Sequence, residues 1–167
     1  MPVPEFILAA RAKIGHDLMW MPGVCGIIFD DDERVLLVKR ADNGQWAPVT
    51  GILEPGEDPI PGLVREIREE TGIEVNVGRL AAVTADGPIS YPNGDRASYL
   101  TCTFRCTYRS GTAQVCDDES LDVGWFSLDE LPGLSERQLD RIRLARSPEG
   151  SAWLSDGSQA AAFDARQ

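Results

Sequence analysis

Three glutamates crowd what we predict to be the last turns of one helix. Glu66, Glu69 and Glu70 lie three and four residues apart, so on a helix they are neighbours and repel one another by roughly a few tenths of a kcal/mol per pair. The negative end of the helix dipole disfavours carboxylates there as well. A hard divalent cation such as Mg²⁺ or Mn²⁺ reverses this balance, because it binds carboxylate oxygens together with substrate phosphates. The cluster indicates either a cation site that handles phosphates or a solvated acidic face.

The glutamates belong to a longer pattern of fixed spacing, G-x5-E-x7-R-E-U-x-E-E-x-G-U, where U is a bulky aliphatic residue. The residues that match it are Gly51, Glu57, Arg65, Glu66, Ile67, Glu69, Glu70, Gly72 and Ile73. A match of this length is far more specific than an isolated acidic cluster, so it favours the cation site. The pattern resembles the signature box of the Nudix hydrolase family, and the resemblance extends from about residue 24 to residue 131.

The resemblance implies a metal centre and a reaction. The expected ion is Mg²⁺, with Mn²⁺ as a possible substitute, and the expected ligands are Glu66, Glu70, Glu69, Glu57 and the carbonyl oxygen of Gly51. The implied reaction is hydrolysis of a phosphoanhydride bond in a nucleoside diphosphate linked to another moiety. Metal ions would bridge the pyrophosphate oxygens and lower the pKa of a bound water.

Two groups of carboxylates are candidates for the base that accepts the proton of the water. One is Glu69 or Glu70 within the box, and the other is Glu119 in the acidic loop 117–119, for which a solvated loop is the alternative. Arg65 lies four residues before Glu69 and is predicted to orient that carboxylate by a charge-assisted hydrogen bond. A plain ion pair is the alternative role for Arg65.

Basic and aromatic residues outside the box are candidates for substrate binding. Lys39 and Arg40 end a predicted strand, and Arg96 follows a predicted turn at Asn93-Gly94, so each is placed to meet a phosphate unless it is simply solvated. The aromatic side chains that could stack on a base, with core packing as the alternative, are Tyr91, Phe104 and Trp125.

The substrate within this reaction class stays open between nucleotide sugars such as ADP-ribose, nucleoside triphosphates and dihydroneopterin triphosphate. Thr50 stands where many family members have a glycine before the conserved Gly51. A competing function is a nucleotide-sensing domain that has lost turnover and regulates a partner. Such domains usually lose glutamates of the box, and this sequence keeps them all.

The elements that must position these residues are predicted from hydrophobic periodicity. Helices are expected at residues 4–14, 58–72 and 135–146, with Ser135 capping the last one. Strands are expected at residues 24–29, 35–40, 46–50, 75–85, 97–108 and 123–126, and the first two form a hairpin. This order predicts an α/β fold, and the resemblance implies an α/β/α sandwich with a mixed β-sheet between helices.

The length of 167 residues indicates one main domain. Residues 1–22 are predicted to form an N-terminal helix and an apolar bridge, Met19-Trp20-Met21-Pro22. Residues 23–146 are predicted to form the Nudix hydrolase domain, and residues 147–167 a loosely ordered tail. The bridge packs either on the domain or on a second subunit, so a homodimer is a possible assembly.

The formal net charge of −11 argues against nucleic acid polymers and anionic membranes as partners. A small nucleotide substrate would also be repelled, so bound metal and a few basic side chains must supply local positive charge. The four cysteines show no C-x-x-C spacing, so a zinc site is not expected, and Cys102 and Cys106 are predicted to be buried. The chain begins without a basic leader and contains no apolar run of membrane-spanning length, so a cytoplasmic location is expected.

Overall fold

The structure, a computed structural model, describes residues 3–154. Within that range the chain forms three helices and eight strands. Their bounds are α1 Glu5–Ile14, β1 Leu18–Phe29, β2 Val35–Arg40, β3 Trp46–Ala47, β4 Val49–Ile52, α2 Pro59–Thr71, β5 Glu74–Ser90, β6 Arg96–Ser110, β7 Ser120–Phe126, α3 Glu136–Arg146 and β8 Trp153–Leu154.

The strands form one mixed sheet in the order β3-β2-β1-β6-β5-β8, with β4 paired to β1 and β7 paired to β2. The β1–β6 and β5–β8 pairs are parallel, and the other pairs are antiparallel. The predicted hairpin is confirmed, because β1 and β2 are antiparallel with Phe29 opposite Val35. The side chain of Asp30 holds its turn by accepting hydrogen bonds from the backbone N–H groups of Asp32 and Arg34.

The predicted apolar bridge at residues 19–22 is wrong, because these residues belong to β1 and pair in parallel with β6. Their side chains alternate across the sheet. Met21 is buried against Ile7 of α1, whereas Trp20 is 62% exposed. The hydrophobic pattern was interrupted by Pro22, a residue type that is unusual inside a strand.

The predicted loose tail is wrong at Trp153–Leu154, which form β8 and lie opposite Ala82 and Val83 of β5. Residues 155–167 of that prediction lie outside the described part of the chain. The predicted strand at residues 46–50 is divided at Pro48 into β3, which pairs with β2, and β4, which pairs with β1. The division places Thr50 opposite Cys25 and Gly51 opposite Val24, so β4 brings the start of the box against β1.

The sheet separates two apolar layers, which confirms the predicted α/β/α sandwich. On one face, Leu63 and Ile67 of α2 pack with Val24 and Ile28 of β1. On the other face, Ile142 and Ala145 of α3 belong to a cluster that contains Cys25, Ile27 and Phe29 of β1. Successive residues of β1 thus serve opposite layers, as expected for the two-residue period of a strand.

Helix α2 begins and ends where the sequence predicted. Asp58 is its N-cap residue, and Pro59 occupies the first helical position, where a missing N–H group costs little. Gly72 ends the helix with a left-handed φ of 71°, and its N–H donates to the carbonyl oxygen of Arg68. Glycine adopts this conformation without steric cost.

Helix α3 is held at both ends. At its start, Ser135 and Gln138 form a reciprocal capping box, which confirms the predicted cap. At its end, the buried side chain of Arg105 donates to the carbonyl oxygens of Ala145 at 3.1 Å and Arg146 at 2.8 Å. The guanidinium of Arg105 also stacks over the ring of Phe29, 4.4 Å from its centroid. The sheet therefore fixes the position of α3.

Cys106 is buried, but Cys102 is only partly buried, so the prediction of two buried thiols is wrong for Cys102. Cys102 lies opposite Val83 in β5, a partly exposed position of the sheet. Phe104 and Trp125 pack in or against the apolar layer under α2, so they serve the core rather than a base. No helix within residues 3–154 is long and apolar enough to cross a membrane.

Candidate active site

Helix α2 presents its glutamates in two different environments. Glu66 and Glu70, four residues apart on the helix, are each only 7% exposed. The side chain of Glu69 is 41% exposed, because it projects from a neighbouring part of the helix surface. The apolar side chains of Leu63 and Ile67 fix the rotation of α2 on the sheet, and this rotation turns Glu66 and Glu70 inward.

Burial changes the protonation chemistry of the two inner glutamates. It raises the pKa of Glu66 to about 7, against the opposing effect of Arg65. Burial, together with the negative charges of Glu66, Asp117 and Glu119, raises the pKa of Glu70 to about 9. A buried carboxyl group with such a pKa keeps its negative charge at neutral pH only when a positive charge is supplied beside it.

Arg65 connects three glutamates of the box. Its Nε and Nη2 atoms donate to the two carboxylate oxygens of Glu57, each at 2.9 Å. Its Nη1 atom donates to Glu66 Oε1 at 3.0 Å and to Glu69 Oε2 at 3.2 Å. The predicted contact with Glu69 is present, but the bidentate partner is Glu57, whose pKa is lowered by these hydrogen bonds. The i, i+4 rule could not reveal a partner in the preceding loop.

Gly51 lies directly against Glu66. A Cβ atom on Gly51 would stand 2.1 Å from Cγ and 2.5 Å from Oε1 of Glu66, far inside normal contact distance. The pairing of β4 with β1 fixes this part of the backbone, because Gly51 lies opposite Val24. The absence of a side chain at position 51 is therefore what allows the carboxylate of Glu66 to occupy its position.

A cleft of about 430 Å³ opens beside Gly51 and Glu66, a size typical of small-molecule sites. Three other predicted site residues also line it, namely Arg40, Tyr91 and Glu119. Arg40 is held by a bidentate contact with Asp42, at 3.0 Å and 2.8 Å. The hydroxyl groups of Tyr91 and Tyr99 are 2.7 Å apart.

Other predicted site residues lie elsewhere. Lys39 is not among the residues that line the cleft; it lies between Trp46 and Asp122 in the sheet, and the pairing of β2 with β7 shifts register between Lys39 and Arg40. Arg96 is exposed at the start of β6, and its carbonyl oxygen accepts a hydrogen bond from Arg11. Glu69 lines a separate hollow together with Arg65 and other residues.

The cleft also contains polar residues that sequence reasoning missed. Asp86 of β5, Thr101 of β6, and Arg137 and Arg141 of α3 lie in its wall. The i, i+4 spacing of the two arginines was visible in the sequence, but it is equally typical of a solvated helix face. Only the packing of α3 on the sheet brings them to the same cleft as Glu66.

A sequence model described as the NUDIX domain matches residues 19–146. The chain belongs to the Nudix hydrolase family. This Nudix hydrolase is 38% identical over 130 residues to a MutT-like protein of Streptomyces ambofaciens, and the match covers 77% of each chain. It is 34% identical over 127 residues to nucleoside diphosphate-linked moiety X motif 6 of Mus musculus, with 74% of this chain and 40% of that protein covered. The chain thus spans less than half of that second relative.

A solved structure of a UDP-X diphosphatase is similar to this Nudix hydrolase with a TM-score of 0.66 at 26% identity. The match covers 90% of this chain and 74% of the other. The family generally uses divalent metal ions and acts on small nucleotide substrates.

The residues of this Nudix hydrolase fit a hard divalent cation by their chemistry. Within residues 3–154, no three acidic, histidine or cysteine side chains converge on one point as a preformed ion site, and Arg65 binds the carboxylate of Glu66 instead. The nearby donors are nevertheless all oxygens, which Mg²⁺ and Mn²⁺ prefer over softer ligands. The close approach of the Glu66 carboxylate to the backbone at Gly51 and the raised pKa values of Glu66 and Glu70 match a site completed by a cation.

Proposed function

We propose that this Nudix hydrolase is a Mg²⁺-dependent pyrophosphohydrolase, which cleaves a phosphoanhydride bond in a nucleoside diphosphate linked to another moiety. The observation that carries the proposal is the pair of buried carboxylates on α2, Glu66 and Glu70, of which Glu66 lines a cleft of substrate size. Two such buried carboxylates on one helix cost stability when both are charged, and a bound cation would remove that cost. The relatives named above for diphosphate-linked substrates support the same reaction class.

Glu66 and Glu70 would hold the ion, with Glu69, Glu57 and the carbonyl of Gly51 as further ligands. A bound Mg²⁺ or Mn²⁺ supplies charge neutralisation on the pyrophosphate and lowers the pKa of the attacking water. Arg65 orients Glu57 and Glu66 through its fork of hydrogen bonds. Arg40 is placed to meet a phosphate, and Tyr91 to contact the nucleoside, because both line the cleft.

Glu119 is the base that we favour. It lines the cleft that contains Glu66, and its charge contributes to the raised pKa of Glu70, so it lies near both inner glutamates. Glu119 is exposed, which suits proton transfer to solvent. Its backbone is held at the end of β2, since the N–H of Ala41 donates to the carbonyl oxygen of Glu119 at 2.7 Å. Glu69 and Glu70 are the alternative bases.

The metal-dependent reaction is tested with a panel of nucleotide sugars, nucleoside triphosphates and dihydroneopterin triphosphate, with Mg²⁺ or with EDTA. We expect turnover only with the ion, and a loss of about 10³-fold in kcat for Glu66→Gln and for Glu70→Gln. The matched control is Glu136→Gln, which changes a carboxylate of α3 that is 84% exposed. Tight nucleotide binding without turnover on the whole panel would instead favour the sensing domain.

The role of Glu119 is tested by Glu119→Gln at saturating Mg²⁺. A base contributes about 10²-fold or more, so we expect a fall of that size in kcat. Wild-type turnover in this variant would exclude Glu119 as the base and leave Glu69 and Glu70.

A further inference from the structure

Two arginines of α3 share one carboxylate in the wall of the cleft. Asp86 is paired with Arg137 and with Arg141, whose Nη2 atom is 2.6 Å from Asp86 Oδ2. The hydroxyl of Thr101 donates to the same carboxylate. Two guanidinium groups against one carboxylate leave an excess positive charge at this place, in a protein whose formal net charge is −11. The group formed by Asp86, Thr101, Arg137 and Arg141 is called the arginine wall below.

Arg141 has a buried donor that the described protein does not satisfy. Its side chain is only 11% exposed, and its Nε atom has no hydrogen-bond partner among residues 3–154. A buried N–H group without an acceptor is costly, yet this one belongs to a residue that lines the cleft. Because this atom is closed off from solvent, a shift of the Arg141 side chain is needed to present it to an oxygen of a bound ligand, which would then supply the missing acceptor.

The arginine wall offers donors rather than acceptors. The carboxylate of Asp86 already receives three donors, from Arg137, Arg141 and Thr101, so it has little capacity left for the N–H groups of a nucleobase. Ser135, the N-cap residue of α3, lines the same cleft, and the positive end of a helix dipole favours an anion. Arginine forks match phosphate geometry in particular.

We propose that the arginine wall is a phosphate subsite, which binds a phosphoryl group outside the bond that is cleaved. This inference rests on the proposed function, because it assumes that the scissile diphosphate lies at Glu66 and Glu70. The phosphoryl group could be the terminal phosphate of a nucleoside triphosphate or a phosphate on the moiety X. A substrate that carries neither would leave the Nε atom of Arg141 without its acceptor and bind more weakly.

The subsite is tested first by binding alone, with tripolyphosphate as the probe and calorimetry in EDTA as the readout. We expect Arg141→Gln to weaken binding about tenfold or more, and Arg137→Gln, whose side chain is 51% exposed, to weaken it less. The matched control is Arg143→Gln on the same helix, since Arg143 pairs with Asp140 and does not line the cleft. Equal binding by wild type and Arg141→Gln, or an equal loss in the control, would overturn the proposal.

A double variant tests whether weaker binding is only a consequence of impaired folding, because it removes Asp86 and Arg141 together. Arg141→Gln alone leaves Asp86 with one guanidinium, whereas Asp86→Asn combined with Arg141→Gln removes one charge of each sign and keeps the net charge of the protein. Arg137 loses the same carboxylate partner, but its side chain is 51% exposed, so water takes the place of that carboxylate. We expect this double variant to melt near the wild-type temperature and still bind tripolyphosphate about tenfold less tightly. Wild-type binding by the folded double variant would assign the arginines a structural role only.

Kinetics then distinguish the two sources of the phosphoryl group. If it is the terminal phosphate of a triphosphate, Arg141→Gln raises KM about tenfold for nucleoside triphosphates and leaves KM for nucleotide sugars within about twofold. If it is a phosphate on X, the rise is confined to nucleotide sugars that carry one. If the wild-type protein shows no turnover but Arg141→Gln weakens tripolyphosphate binding, the proposed function is wrong and the subsite stands. If the wild-type protein turns over substrate and Arg141→Gln binds tripolyphosphate as tightly as the wild type does, only the subsite is wrong.

Discussion

At the scale of single residues, the site depends on close approach as much as on charge. Glu66 reaches its position because Gly51 has no side chain, and it stays there because Arg65 donates to it. The pattern of the box fixes both partners at a distance of 15 residues or less along the chain. The glycine is therefore part of the machinery and not simply a turn residue.

We expect Gly51→Ala to lower kcat about 10²-fold with little change in melting temperature. The new Cβ would stand 2.1 Å from Glu66 Cγ, so the flexible glutamate moves away while the fold is kept. Steady-state kinetics and thermal unfolding check the two parts. Gly133→Ala is the control, since a Cβ there meets no atom within 4 Å. Unchanged kcat in Gly51→Ala would show that Glu66 tolerates displacement.

At the scale of elements, two helices on opposite faces of the sheet meet at one cleft. Helix α2 brings Glu66 to this cleft, and α3 brings Arg137 and Arg141 of the arginine wall. The end of α3 is held by Arg105 and by Arg79, whose Nη2 atom donates to the carbonyl oxygen of Leu144 at 2.5 Å. These contacts satisfy carbonyl groups that would otherwise lack partners at the helix end.

We expect Arg105→Ala to lower the free energy of unfolding by about 2 kcal/mol, because it removes charge-assisted hydrogen bonds to two carbonyl oxygens and the contact with Phe29. Chemical denaturation measures the loss. Arg109→Ala, an exposed arginine of the same strand, should change stability by less than about 0.5 kcal/mol. Similar losses in both variants would mean that Arg105 does not anchor α3.

At the scale of the whole molecule, stability is coupled to protons and metal. Without metal, the folded protein holds protons on Glu66 and Glu70, whose pKa values burial raises from 4.5 to about 7 and about 9. Between pH 4.5 and each of these raised pKa values, the folded protein binds more protons than the unfolded chain does. The contribution of these two carboxyl groups to the free energy of unfolding is therefore fully present below pH 4.5, and it is lost as the pH rises towards about 9.

We expect Mg²⁺ to raise the melting temperature more at pH 8.5 than at pH 5, by about 5 °C, because it binds the charged carboxylates. Thermal unfolding in Mg²⁺ and in EDTA gives the comparison. The double variant Glu66→Gln, Glu70→Gln should lose both the response to Mg²⁺ and most of the pH dependence in EDTA. A response to Mg²⁺ that survives in this variant would place the ion elsewhere.

The sequence by itself determined the family, the Nudix helix with its two ends, and the glutamates of the box. These features depend on spacing within about 25 residues, where helix periodicity and caps are local physics. It also predicted most of the strands and the cap at Ser135. It failed at the first part of β1, residues 18–23, where a proline interrupts the pattern, and at β8, which is too short to show one.

Only the tertiary structure decided which distant side chains share the cleft. Arg40 lines it and Lys39 does not, and the pairing of β2 with β7, a long-range contact, shifts register between these two residues. Asp86 and Arg141 are 55 residues apart and meet because α3 packs on the sheet. Contacts of this kind arise from the burial of apolar faces, which the local sequence does not encode.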